Sequence, residues 1–148
     1  MSVLSWDVTR WSAMGLMLLM AVATDLRHRR IPNRVVLSGA LAGLALALGP
    51  GQLGLTLSLL GGLVAFSIFL TLHVLGWIGA GDVKLAAATG LYFSPSQAVQ
   101  ACLMILLAGG LVALLWQAWM RTGPRGQIPY GVAIALGSGY QAWRVGVF

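Results

Sequence analysis

The sequence predicts an all-α protein, a polytopic membrane bundle of about six transmembrane helices. Three observations carry that prediction. Hydrophobic residues make up 59% of the 148 positions and charged residues only 8%, with a mean hydropathy of +0.89, whereas soluble domains carry about a quarter charged residues. The apolar residues fall into segments of span length, separated by Gly/Pro-rich turn clusters. The basic residues sit in the short connections and not along one continuous face.

The segments can be drawn at 8–25, 35–49, 53–75, 82–93, 97–119 and 129–147. In the first, Trp11 to Met20 followed by Ala21-Val22-Ala23 resembles a cleavable signal. The basic cluster of Arg27, His28, Arg29, Arg30 and Arg34 that follows opposes export, so the segment reads as a retained helix. Pro32 and Pro129 stand where the second and sixth helices should begin, a position at which a missing amide hydrogen costs nothing. Gly49-Pro50-Gly51-Gln52 separates the second segment from the third, and Ser94-Pro95-Ser96-Gln97 separates the fourth from the fifth. The fourth segment is short for a span, which calls for an earlier start near Gly79, a tilt, or a thinned bilayer. Arg121-Thr122-Gly123-Pro124-Arg125-Gly126 forms a basic loop before the last segment. The echo between Arg30-Ile31-Pro32-Asn33 and Gln127-Ile128-Pro129-Tyr130 is too brief to mark a duplication.

Six spans place Arg27, Arg29, Arg30, Arg34, Lys84, Arg121 and Arg125 on one side, with Arg10 and Arg144 on the other. By the positive-inside rule the former side is cytoplasmic and both chain ends face out. The whole of 1–148 reads as one integral-membrane domain, too short to add a soluble one. The net charge of +6 is explained by topology, so no nucleic-acid partner is expected. Cys102 is the single cysteine and lies in an apolar run, which excludes internal disulfides and cysteine-based zinc sites. The six tryptophans gather near segment ends as interfacial anchors.

Of only three acidic residues, Asp82 stands out, because a carboxylate at membrane depth costs on the order of 3 kcal/mol and persists chiefly where it functions. It lies in Gly79-Ala80-Gly81-Asp82-Val83-Lys84. The predicted topology puts Asp25 on the same cytoplasmic face, while Asp7 lies opposite as an ordinary solvated charge. Two carboxylates brought close share a proton and serve as general base and general acid together. Gly79 and Gly81 allow unusual backbone angles or close approach by an extended peptide, and equally suit plain helix packing. Asp25 also suits a helix end balancing Arg27 or Arg29. Lys84 can hold a substrate carbonyl or anchor the interface. His28 and His73 lack the paired spacing of a metal motif, so no metal site is assigned.

These residues resemble the type IV prepilin peptidases, membrane aspartyl proteases of the Gly-x-Gly-Asp kind. Asp25 with Ile31-Pro32-Asn33 resembles the first family motif, and Gly79 to Leu85 the second. Ile128-Pro129-Tyr130-Gly131-Val132-Ala133-Ile134-Ala135 resembles the segment opening the family's last helix. The resemblance implies that Asp25 and Asp82 are the catalytic pair, with Gly79, Gly81 and Lys84 in support and Ile31, Pro32, Asn33 and Pro129 shaping the site. It implies removal of a short basic leader from prepilin or pseudopilin substrates at the cytoplasmic face of a bacterial inner membrane, without a cofactor, alongside pilus-assembly machinery. Larger members add a cysteine-rich zinc segment and methylate the new N-terminus. With one cysteine and no long insertion after the first segment, this chain resembles the short, peptidase-only TadV/CpaA-like branch serving Flp (tight-adherence) pili. An aqueous pocket open to the cytoplasm is expected beside Gly79 and Gly81, since irregular backbone at membrane depth has to line a wet cavity or be buried. The competing readings are a small proton- or ion-coupled transporter component, for which acids belong nearer mid-membrane, and a non-catalytic pilus-assembly subunit.

Overall fold

In a computed structural model, residues 3–28, 30–49, 53–119 and 130–147 are described, and every regular element among them is a helix. The six helices are α1 (Val3–His28), α2 (Asn33–Ala47), α3 (Leu55–Val74), α4 (Ala80–Gly90), α5 (Pro95–Trp119) and α6 (Tyr130–Val147). Each coincides with one predicted apolar segment to within a few residues. Pro32 caps α2 instead of opening it: its carbonyl accepts from the amides of Val35 and Val36 at 3.1 and 3.4 Å. Pro129 and the basic loop at 121–126 lie outside the described residues, as does Arg29.

Among the described residues two helices are long and apolar enough to cross a membrane, α3 over Leu55–Val74 and α5 over Pro95–Leu115. Most of their leucines point away from the bundle, with Leu63 and Leu107 exposed by 58% and 68%, a surface suited to hydrocarbon and not to water. The short α4 lies in the middle instead. It packs against α2, α3, α5 and α6, and six of its eleven residues, Val83, Leu85, Ala86, Ala88, Thr89 and Gly90, are buried.

Missing side chains make that burial possible. A Cβ on Gly90 would stand 2.7 Å from both the Gly61 carbonyl oxygen and the Ala65 Cβ, and one on Gly62 would stand 2.6 Å from the Leu91 side chain. The backbones of α3 and α4 therefore touch, the arrangement that small residues permit between helices in lipid. The turn joining them is equally tight. Gly76 takes φ +80°, and the amides of Gly76 and Trp77 donate to the His73 and Leu72 carbonyls at 2.9 and 3.0 Å. That is the Schellman pattern, with glycine at the left-handed position where a side chain would be strained. His73 Nδ1 lies 2.8 Å from the Ile78 carbonyl oxygen, closing the loop from the side.

The far end of α4 is anchored by long-range polar contacts. The buried Tyr92 donates its phenol to the Gly39 carbonyl at 2.7 Å, and its ring faces Gly43, where a Cβ would come within 2.9 Å. Ser58 Oγ donates to the Leu91 carbonyl at 2.5 Å, and the Arg10 guanidinium donates to the Tyr92 carbonyl. Trp11 stacks at a tilt on Phe93 with ring centroids 5.5 Å apart. Helices α1, α2 and α3 thus all hold this turn. Helix α5 then starts from it with a capping arrangement, in which Ser94 N–H donates to Gln97 Oε1 at 3.0 Å and Pro95 occupies the first helical position.

Gly90→Ala is expected to destabilise the fold by roughly 1 to 3 kcal/mol, because the new methyl meets backbone that cannot yield. Gly110→Ala, where nothing lies within 4 Å, should leave the melting temperature of the detergent-solubilised protein unchanged. Equal melting temperatures for the two variants would contradict the close α3–α4 contact.

Candidate active site

Asp82 is the third residue of α4, and its position follows from helix-capping chemistry. Its backbone amide donates to the Gly79 carbonyl at 3.1 Å, and its Oδ2 accepts from the Gly79 amide, also at 3.1 Å. A carboxylate here satisfies an otherwise orphaned N-terminal donor and sits at the favourable end of the helix dipole. Asp25 is placed less comfortably. It stands in the last turn of α1, with Arg27 and His28 after it, where the helix carbonyls disfavour negative charge. Its compensation comes from another helix: the Gly131 amide, in the first turn of α6, donates to Asp25 Oδ2 at 3.2 Å.

The end of α1 and the beginnings of α4 and α6 consequently meet at one end of the bundle. Both aspartates are half-buried, and the charge of Asp25 is felt at the Asp82 carboxylate. Asp82 in turn interacts electrostatically with the Tyr130 phenol, whose ring lies over Gly109 of α5, where a Cβ would stand 2.6 Å from the hydroxyl.

The start of α2 completes this end. Lys84 Nζ donates to Asn33 Oδ1 at 3.3 Å, and the Ile31 side chain covers Gly81, 3.7 Å from where a Cβ would be. The Ile31-Pro32-Asn33 segment therefore packs on the Gly79–Lys84 segment, with Pro32 exposed beside it. Neither motif glycine uses a left-handed backbone. Gly79 is extended at φ −78° and ψ 154°, Gly81 belongs to the first turn of α4, and positive φ falls at Gly54 and Gly76 among the described residues. Gly79 is instead needed for closeness, since a Cβ on it would lie 3.2 Å from Asp82 Oδ2.

A groove of about 590 Å³ opens between α2, α3 and α4. Asn33 and Lys84 mark its polar end, and Leu37, Leu63, Phe66 and Ala88 are among its apolar lining. Neither aspartate lines it.

The residues that meet at this end lie mostly within a stretch of known kind. The model of the type IV leader peptidase family matches residues 12–117. The chain belongs to the type IV leader peptidase family. A prepilin leader peptidase/N-methyltransferase of Myxococcus xanthus (strain DK1622) is 32% identical over 109 residues, which make up 68% of this chain and 32% of that protein. The chain thus spans about a third of the length of that relative. No solved structure matches. Within the leader peptidase match fall Asp25, Ile31, Pro32, Asn33, Gly79, Gly81, Asp82 and Lys84, whereas Tyr130 and Gly131 lie beyond it. The contribution of Gly131 went unread in the sequence because its donor is a main-chain amide, which no residue type advertises.

Lys84 and Asn33 are expected to couple weakly, by no more than about 1 kcal/mol, since both are exposed and the bond is long. A double-mutant cycle with Lys84→Ala and Asn33→Ala, read by chemical denaturation in detergent, measures that coupling directly.

Proposed function

We propose that this chain is a membrane-embedded aspartic endopeptidase that removes the short basic leader from type IV prepilins, using Asp25 and Asp82 to activate water. The observation that carries this reading is that α6 packs against both α1 and α4 and its first turn holds Asp25 through the Gly131 amide, beside the Tyr130 that Asp82 influences, in a chain of the leader peptidase family. In the proposed reaction the ionised aspartate takes a proton from water as the water oxygen attacks the scissile carbonyl carbon. The protonated partner gives its proton to the carbonyl oxygen. As the diol collapses, the newly protonated aspartate gives its proton to the amide nitrogen while the C–N bond breaks, and a diol hydroxyl returns its proton to the other aspartate, so that a free amine and a carboxylic acid leave and the pair regains its single proton.

The substrate's own apolar helix lies in the bilayer against the bundle and presents its leader junction at the level of the pair. The positive-inside rule places that level at the cytoplasmic face of a bacterial inner membrane, with six spans and both ends outside. The tight α1–α2 connection between His28 and Asn33 and the single cysteine support a peptidase without methyltransferase activity, of the TadV/CpaA-like branch that serves Flp pili and their assembly machinery.

Co-expression with a candidate prepilin tests the reading. Asp25→Asn and Asp82→Asn should each slow leader removal at least about a hundredfold, seen as retention of the longer precursor on a gel. Continued cleavage by either variant at the unmodified rate would remove the paired-acid assignment.

A further inference from the structure

We infer that Gly131 is a positioning residue for the proposed reaction, holding the Asp25 carboxylate in place through its amide and through its lack of a side chain. The inference rests on the assignment of Asp25 as one of the reacting acids. Two independent features of the geometry carry it. The Gly131 amide donates to Asp25 Oδ2 at 3.2 Å, bridging the end of α1 and the start of α6. A Cβ on Gly131 would have as its three nearest atoms Oδ2, Cβ and Cγ of Asp25, at 2.8, 3.4 and 3.4 Å. The space that the glycine leaves is therefore filled by Asp25.

Other glycines of α6 behave differently. A Cβ on Gly137 would run into the Ile105 backbone, which is a packing requirement between α5 and α6, while Gly139 has nothing within 4 Å. The arrangement at Gly131 is matched instead at Gly79, whose amide donates to Asp82 Oδ2 and whose Cβ would lie 3.2 Å from that same oxygen. Each aspartate thus rests on a glycine amide that a side chain would disturb. Gly79 belongs to the motif that holds Asp82, and Gly131, outside the stretch matched by the family model, is its counterpart for Asp25.

A methyl group at Gly131 has to move the carboxylate or tilt the start of α6. Either displaces Asp25 by a fraction of an ångström to an ångström, enough to cost on the order of a hundredfold in the rate of a positioned reaction. Substrate affinity should hardly respond, because the displaced group acts on the reacting bond.

The test compares the purified full chain with its Gly131→Ala, Gly139→Ala and Asp25→Asn variants, cleaving a prepilin in proteoliposomes. Gly131→Ala is expected to lower kcat about a hundredfold with KM held within about twofold and the melting temperature unchanged, while Gly139→Ala cleaves normally. Wild-type kcat in a folded Gly131→Ala, or a raised KM with kcat intact, overturns the positioning role. Should Asp25→Asn itself cleave normally, the catalytic assignment beneath it falls instead. If Gly131→Ala does not fold, Asp25→Ala combined with Gly131→Ala decides the matter. Recovery of the melting temperature of Asp25→Ala alone shows that the collision was with Asp25, and continued unfolding shows a packing role and overturns the inference.

Discussion

The backbone contact between α3 and α4 is the constraint on which the rest of the molecule depends. Gly61, Gly62 and Gly90 bring the two helices together without intervening side chains, so an eleven-residue helix is enclosed by its neighbours. With its far end held by Tyr92, Ser58 and Arg10, α4 has little freedom to slide along its axis. The depth of Asp82 is a direct result, since it stands in the first turn of a rod fixed at the other end.

The same constraint explains why two carboxylates persist in so apolar a chain. Each is met by a main-chain amide, from Gly79 and from Gly131, and hydrogen bonds to an ionised group are about twice as strong as those between neutral ones. Asp82 gains further from the helix it starts. Asp25 opposes the dipole of the helix it ends, and depends on α6 for relief.

The helices were legible because their signals are local. Apolar runs, Gly/Pro clusters and Pro32 mark segment boundaries by chemistry that acts within a few residues, and all six helices follow those marks. The shared level of Asp25 and Asp82 was legible only indirectly, by counting alternating spans and reading the arginine bias. The contacts that fix the site were not legible, because they join residues remote in sequence through backbone atoms: Tyr92 to the Gly39 carbonyl, Arg10 to the Tyr92 carbonyl, Gly131 to Asp25. For Gly79 and Gly81 the sequence left open unusual backbone angles, close approach or plain helix packing. Among the described residues positive φ falls at Gly54 and Gly76, and Gly79 leaves room for the Asp82 carboxylate.

The brevity of α4 also bears on how the protein is made. At 1.5 Å per residue its eleven residues extend roughly 16 Å, about half the hydrocarbon thickness. Such a segment has too little apolar length to leave the translocation machinery for lipid by itself. Among the described residues its far end is held by Arg10 of α1, Gly39 of α2 and Ser58 of α3, all of which precede it in the chain. Helix α4 therefore enters as the second arm of a hairpin with α3, and the end of the bundle that carries Asp25 is completed only when α6 emerges to donate the Gly131 amide.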